Sequence, residues 1–335
     1  MKTLLRPLLR IADKETGYAH RGFRGGDARA IANVEAIGGA FLEGYRAALD
    51  APSAGAAIAR LETTDAPLRG FRYEGAAMAL YLLDRLLPGR RDRFDAFIAD
   101  RGADHVYMAY VGAGWAHARL PFGLRPALAR RDALLRWLML DGYGFHQGFF
   151  HWRTAVEGAR HVPSRVQGYA RRAFDQGLGR SLWFVDGHEP ARIAATIAGF
   201  ASARHADLWA GAGLAATYAG GVDAAALAQL RELAGAHAGW LAQGSAFAAA
   251  ARHRAGNPVP HNDLACRAFC GMDAADASLL VNAAREHLPP DRDESPAYET
   301  WRQRTRDAVA GTARASPAPA PVARNAAAGA AATAY

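Results

Sequence analysis

The 335 residues are 51% apolar, enough for a sizeable core, and Ala and Gly dominate over Val, Ile and Thr, which favours helices. The formal net charge of +8 comes almost wholly from Arg, with Lys only at Lys2 and Lys14, so it indicates biased amino-acid usage rather than a nucleic-acid surface. No uncharged apolar stretch of about 20 residues occurs, which excludes a transmembrane helix, and no apolar N-terminal segment is long enough for a secretory signal. We expect a cytoplasmic protein in which Cys266 and Cys270 stay reduced.

An N-terminal arm, residues 1–26, precedes a single helical-repeat domain, residues 27–310, in which a glycine-centred signature recurs seven times. The first glycines of successive copies are 31, 37, 30, 35, 34 and 33 residues apart, a period typical of stacked helical hairpins. They are Gly44, Gly75, Gly112, Gly142, Gly177, Gly211 and Gly244. The sequence predicts an all-α fold of about seven repeats of roughly 33 residues, either a tetratricopeptide- or Sel1-like solenoid or a closed α/α toroid.

Three columns of the repeat have distinct residue types. Four residues after the first glycine, six of the seven copies carry Ala or Ser, and a small residue one turn from a glycine lets two helices approach closely. The residue before the glycine is polar in five copies, and the residue three after it is apolar in six. These two positions are four apart and share one helix face, so we expect a row of polar groups beside a row of apolar ones.

Segments between the glycine helices are bounded by Pro or Gly and are predicted as the second helices of hairpins. In chain order they are residues 92–98, 131–140, 167–174, 192–205 and 223–234. Residues 311–335 are rich in Ala, contain three Pro and show no amphipathic pattern, so they are predicted to be a disordered tail.

The residues that break their own column are the catalytic candidates, because local exceptions to a pattern tend to mark functional sites. His146 occupies the small-residue column, and Arg180 occupies the apolar one. Asp141 and Asp175 precede them in consecutive copies, so we expect all four side chains to face one partly accessible pocket, with the imidazole as proton carrier. Each also has a structural interpretation, His146 as a core histidine and Arg180 in a pair with Asp175 or Gln176.

Further residues that add charge or aromatic surface to the neighbouring copies are predicted to bind substrate: Glu74, Trp115, His117, Arg119, Trp183, Arg204 and Asp207. Arg204 and Asp207 are three apart, which also fits a local ion pair, and Glu74 also fits a structural cap or bridge. The predicted substrate cavity is lined by Trp115, Phe145, Phe149, Trp183 and Trp209.

The sequence predicts no metal and no cofactor. Glu74, Asp141 and His146 could converge from different helices, but His146 and His151 are five apart, which turns them away from each other on a helix. Neither a Gly-x-x-x-x-Gly-Lys phosphate loop nor a Gly-x-Ser-x-Gly nucleophile elbow occurs.

Several runs are similar to the UnbL-type family, a bacterial domain of unknown function (number 1702) associated with enediyne antibiotic gene clusters. These runs are GFRYEGAAMA (70–79), VGAGWAHARLP (111–121), DGYGFH (141–146), FDQGLGRSLWF (174–184) and DLWAGAGLA (207–215). The resemblance covers about residues 20–285. It implies a role in enediyne or related polyketide biosynthesis and supplies no catalytic residues.

Two functions remain open at this point. In the first, the protein is an acid/base tailoring or cyclisation enzyme that holds an unsaturated polyketide in a helix-lined pocket. In the second, it is a non-catalytic helical-repeat scaffold that binds a biosynthetic partner protein. The expected partner is therefore a polyketide-derived small molecule or a protein, and no nucleic acid or membrane span is expected.

Overall fold

A computed structural model describes residues 9–63, 65–87, 89, 91–158, 161–292 and 296–315, and within these ranges the chain is all-α without a β-strand. Its helices are α1 (Tyr18–Arg21), α2 (Ala28–Asp50), α3 (Ala54–Leu61), α4 (Ala66–Leu86), α5 (Arg93–Ala99), α6 (Val106–Arg119), α7 (Leu124–Ala129), α8 (Arg136–Phe150), α9 (Ala170–Val185), α10 (Pro190–Ala198), α11 (Ser202–Ala219), α12 (Ala224–Ala234), α13 (Ala238–Arg254), α14 (Pro260–Cys270), α15 (Ala274–Arg285) and α16 (Ala297–Ala315). The predicted fold class is confirmed at this level.

The seven glycine signatures lie in seven helices that we call the long helices, and each of these packs against the next. They are α2, α4, α6, α8, α9, α11 and α13. At their N-terminal ends, α9 and α11 are joined by the Arg204–Asp175 ion pair. At the C-terminal ends of α8 and α9, the Phe149 and Phe184 rings meet with centroids 6.2 Å apart. Because like ends of neighbouring helices are in contact, α8, α9 and α11 run parallel to one another.

The glycines lie where these helices cross, as predicted for Gly112, Gly142, Gly177 and Gly211. A Cβ atom at Gly177 would lie 2.8 Å from the Cα atom of Asp141 and closer still to its carbonyl group, and the same holds one copy later, where the nearest atom would be the Gln176 carbonyl oxygen. No side chain fits in that space, so the predicted packing seam is confirmed.

The predicted partner segments are confirmed only in part. Residues 92–98 and 223–234 coincide with α5 and α12, and residues 192–205 cover α10 and the start of α11. The predictions for 131–140 and 167–174 are wrong, because the second half of each segment is the first part of a glycine helix. Their apolar side chains, Leu138 and Phe174 among them, are buried in the same core, and no Pro or Gly separates them from the glycine signature. The short helix α7 follows the third copy and contacts α8, and a π-helical turn (Arg153–Glu157) lies between α8 and α9.

Helix α16 packs against α13 and α15. Its Trp301 ring packs on Phe247 of α13 with centroids 4.4 Å apart, and the Trp301 indole N–H donates to the carbonyl of Val281 at 2.8 Å. This helix continues to Ala315, so residues 311–315 are helical rather than the start of a disordered tail, and residues 316–335 lie outside the described ranges. In the described part of the chain, no helix is long and apolar enough to span a membrane.

Candidate functional site

A buried ion pair joins α8 and α9. The Arg180 guanidinium donates to Asp141 Oδ1, and both side chains are almost fully buried. Gln176 Nε2 donates to the other Asp141 oxygen at 2.8 Å and lies 3.2 Å from the Tyr298 hydroxyl. Burial opposes the charged form of Arg180, but Asp141 and Glu74 outweigh it and raise its pKa.

Glu74 of α4 is a second carboxylate near Arg180, and it has fewer partners. Its side chain is 3% exposed, and its Oε1 has no hydrogen-bond partner. Burial raises its pKa from 4.5 to about 7, while Arg180 and the nearby Trp115 indole pull it down and Asp141 pushes it up. Glu74 is therefore a buried acid poised to gain or lose a proton near neutral pH.

Two narrow cavities lie on either side of Arg180, which lines both of them. The Asp141 cavity, of about 40 Å³, is lined by Asp141, Arg180, Leu214, Tyr218, Phe247 and Trp301 among others. The Glu74 cavity, of about 30 Å³, is lined by Glu74, Arg180, Phe41, Trp115, Phe145 and Phe149 among others. Their walls are almost wholly apolar apart from the central charged groups. Cavities of this volume admit only slender, unbranched groups.

The two rows predicted from the repeat columns meet at this centre. Glu74, Asp141 and Gln176 come from the column before the glycine, and all three are buried. The column three residues after the glycine supplies Arg180 and cavity-lining residues of four other copies, namely Trp115, Phe145, Leu214 and Phe247. Two columns of the sequence pattern therefore supply both charged groups and apolar walls of the cavities.

The predicted shared pocket for His146, Asp141, Asp175 and Arg180 is wrong, although Asp141 and Arg180 do meet. His146 lies instead beside a surface cleft, with its ring 4.7 Å from that of Phe150. Burial lowers its pKa well below 6.5, and His151, Arg119 and Arg21 lower it further. No carboxylate offsets these effects, so the imidazole is neutral at pH 7 and is not the expected proton donor. It fits in a small-residue column because at this copy the column borders the cleft.

Asp175 forms a separate buried pair with Arg204, whose Nε lies 2.9 Å from Asp175 Oδ2. The predicted local pairing of Arg204 with Asp207 is not found. Asp207 accepts instead from Arg172 Nε at 3.0 Å and lies 2.8 Å from Arg302 Nη2, which ties α16 to the core. These groups face neighbouring helices and line neither central cavity.

Of the remaining residues predicted to contact substrate, some line a central cavity and others do not. Trp115, Phe145 and Phe149 line the Glu74 cavity as expected. The His117 ring is fully buried, with Nε2 2.9 Å from the Tyr81 hydroxyl, and burial lowers its pKa to about 3. Trp183 donates to the Gly220 carbonyl at 3.0 Å, and neither Trp183 nor Trp209 lines the two cavities. Arg119 is exposed and borders the His146 cleft.

Sequence reasoning missed Tyr218 and Tyr298, whose hydroxyl-bearing rings are buried beside the charged centre. Tyr218 lines the Asp141 cavity, and burial raises its pKa. It is the one tyrosine seven residues after a first glycine, and this exception to its column could have identified it. Tyr298 belongs to α16, outside the repeat, so no column could have placed it.

Within the described ranges, no three His, Cys, Asp or Glu side chains are arranged to hold a metal ion. His146 lies apart from Glu74 and Asp141, so these three do not form the metal site that the sequence left open.

Comparison with known proteins gives one match. A family model described as a protein of unknown function (DUF1702) matches residues 1–309, nearly the whole chain. No curated protein and no solved structure matches.

Proposed function

The chain belongs to the DUF1702 family of proteins of unknown function, and we propose that it is an acid/base enzyme that moves a proton along an unsaturated, largely apolar chain. The observation that carries this proposal is Glu74, a buried carboxyl with an unpartnered oxygen and a pKa of about 7 that faces a narrow aromatic cavity beside a fixed guanidinium. A general base works best when its pKa lies near the working pH.

The proposed chemistry is redox-neutral. Glu74 removes a proton from a carbon next to a carbonyl or double bond, and the electron pair moves into the conjugated chain. Arg180, which is held in place by Asp141, stabilises the negative charge that develops on the carbonyl oxygen, and Gln176 in turn donates to Asp141. Glu74 then returns the proton to a different carbon, which gives an isomerised chain. Alternatively, the carbanion closes a ring by attacking a second carbonyl, whose oxygen takes up the proton from Glu74 and becomes a hydroxyl.

We propose an enediyne or related polyketide as the biosynthetic context, because the runs around Glu74, Gly142 and Gly177 are similar to those of UnbL-type proteins. Flat, unbranched polyene chains suit the narrow cavities. We place the reaction in the cytoplasm, with Cys266 and Cys270 buried and unpaired.

We also propose that the long helices are the inner helices of a tetratricopeptide- or Sel1-like stack that curves towards a ring. The glycine contacts recur in the same register from copy to copy, which supports a repeat. Contacts across the centre support the curvature: Asn33 of α2 donates to the Ala219 carbonyl of α11 at 3.2 Å, and the Phe71 and Tyr218 rings of α4 and α11 meet at 5.3 Å.

The test compares Glu74→Gln with Glu43→Gln in a producing strain from which the gene has been deleted. Glu43 occupies the same column one copy earlier but is exposed and paired with Arg72, so it is a matched control. We expect Glu43→Gln to restore the product and Glu74→Gln to fail. The compound that accumulates in the deletion strain, incubated with purified protein in D₂O, should gain deuterium about 100-fold more slowly with Glu74→Gln than with the wild type.

A folded Glu74→Gln protein that restores the product fully would contradict the enzyme proposal. Combined with a folded Arg180→Gln that also restores it, this result would favour the scaffold function.

A further inference from the structure

A surface cleft of about 600 Å³ lies beside the Glu74 cavity and differs from it in chemistry. Its charged and titratable lining consists of Arg10, Arg21, Arg119, His146, His151 and Glu15. We call it the basic cleft, because three guanidinium groups face a single carboxylate. Nothing in the proposed proton transfer uses this cleft.

Two of the three arginines are already engaged. Arg10 lies 3.6 Å from Asp50, and Arg21 donates to Glu15 at 2.7 Å and to the Phe150 carbonyl at 2.6 Å. Arg119 is exposed and forms no hydrogen bond or ion pair with any residue that the structure describes. A cation without a partner at the edge of a basic cleft has its full charge available for a ligand.

His146 is the second unsatisfied group. It lines the cleft although its side chain is only 6% exposed, and its Nδ1 is buried without a hydrogen-bond partner. Arg119 and Arg21 are both close enough to disfavour its protonation, which places the three groups around the same space. A neutral imidazole donates one N–H, and because Nδ1 is shielded from solvent, it is Nε2 that can bind an anion beside Arg119.

The basic cleft and the Glu74 cavity share a wall. Phe150 lines both, and the Phe150 ring contacts Trp115 of the cavity at 5.6 Å and His146 of the cleft at 4.7 Å. On α4, Met78 borders the cleft and Glu74 borders the cavity. These positions are one helical turn apart, or ~6 Å along the axis, a distance that roughly four to six chain carbons span.

From this arrangement we infer that the substrate carries an anionic head group, which binds to Arg119 and His146 in the basic cleft while its apolar chain passes Phe150 into the Glu74 cavity. The inference rests on the proposed function and narrows its substrate class. The head is a carboxylate or a phosphate, since both accept from a guanidinium and an imidazole N–H. The reacting carbon then lies several carbons away from the head.

The test uses cis-parinaric acid, a fluorescent fatty acid with a conjugated tetraene chain, and its methyl ester. Fluorescence titration should show that the wild type binds the acid and that Arg119→Gln raises its Kd about tenfold or more. The control Arg125→Gln removes another exposed arginine, outside the basic cleft, and should leave the Kd unchanged. The methyl ester should bind the wild type and Arg119→Gln equally.

Competition distinguishes the two sources of the anion. Dodecyl phosphate that displaces parinarate better than dodecanoate assigns the cleft to a phosphate head, and the reverse order assigns it to a carboxylate. Dodecanol should compete worse than both.

Absence of parinarate binding to the wild type, equal Kd values for wild type and Arg119→Gln, or an equal loss in Arg125→Gln would overturn the inference. Failure of the proposed function has a different signature, since an active Glu74→Gln protein could still bind parinarate through Arg119.

Discussion

The substitution Gly177→Ala should destabilise the fold at the crossing of α8 and α9. An added Cβ atom would lie 2.8 Å from the Asp141 Cα atom and 2.5 Å from its carbonyl carbon, both of them backbone atoms that cannot rotate away. The two helices must therefore separate, and overpacking of this kind costs about 1–3 kcal/mol. Alanine returns at most ~1 kcal/mol through its better helix propensity. We expect a net loss of roughly 1–2 kcal/mol in the free energy of unfolding.

Gly39→Ala is the matched control, because Gly39 lies inside α2 and a Cβ atom there would meet nothing within 4 Å. Only the propensity gain applies, so this variant should be more stable than the wild type by up to ~1 kcal/mol. Urea denaturation followed by far-ultraviolet circular dichroism measures both variants. Opposite signs are expected, and a Gly177→Ala protein as stable as Gly39→Ala would refute the close-packing explanation of the glycine signature.

Two further predictions concern buried charge. The folded-state pKa of Glu74 is raised to about 7, so the folded protein binds more protons than the unfolded chain between pH 4.5 and 7, and Glu74 makes the protein less stable as the pH rises through that window. Glu74→Gln should therefore gain stability relative to the wild type by up to ~3 kcal/mol at pH 8 and little at pH 4.5, as measured by urea denaturation at both pH values. Arg204→Gln removes the ion-pair partner of buried Asp175 and should cost about 3 kcal/mol, whereas adding Asp175→Asn should recover part of that loss; no recovery would mean that the charge of Asp175 is not the cause.

The helices of this protein could be predicted more reliably than the connections between them. The spacing of the glycines identified all seven long helices, because a close crossing requires a glycine at a regular position. Residues 131–140 and 167–174 were wrongly predicted as separate partner helices, because the start of a buried glycine helix has the same apolar pattern as such a helix. Only tertiary packing decides where one helix ends and the next begins.

The candidate site was predicted in part. Arg180 was identified because it breaks an otherwise apolar column, but it pairs with Asp141 one copy earlier and not with Asp175 or Gln176. His146 broke its column just as clearly, yet the column there borders the basic cleft instead of the central cavities. A sequence pattern locates an exceptional residue along the helix, but the direction in which neighbouring helices diverge determines what that residue faces.

The repeat columns also account for the different hydrogen bonding of Glu74 and Asp141. Side chains of the column before the glycine meet between consecutive copies, as the hydrogen bond from Gln176 to Asp141 shows. That bond and the pairing with Arg180 give both Asp141 oxygens a partner. In the copy that follows Glu74, the equivalent residue is Val111, which has no side-chain hydrogen bond to offer. Glu74 is thus left with burial as the dominant influence on its pKa. The apolar residue at this position of the next copy therefore leaves Glu74 Oε1 without a partner, whereas both Asp141 oxygens have one.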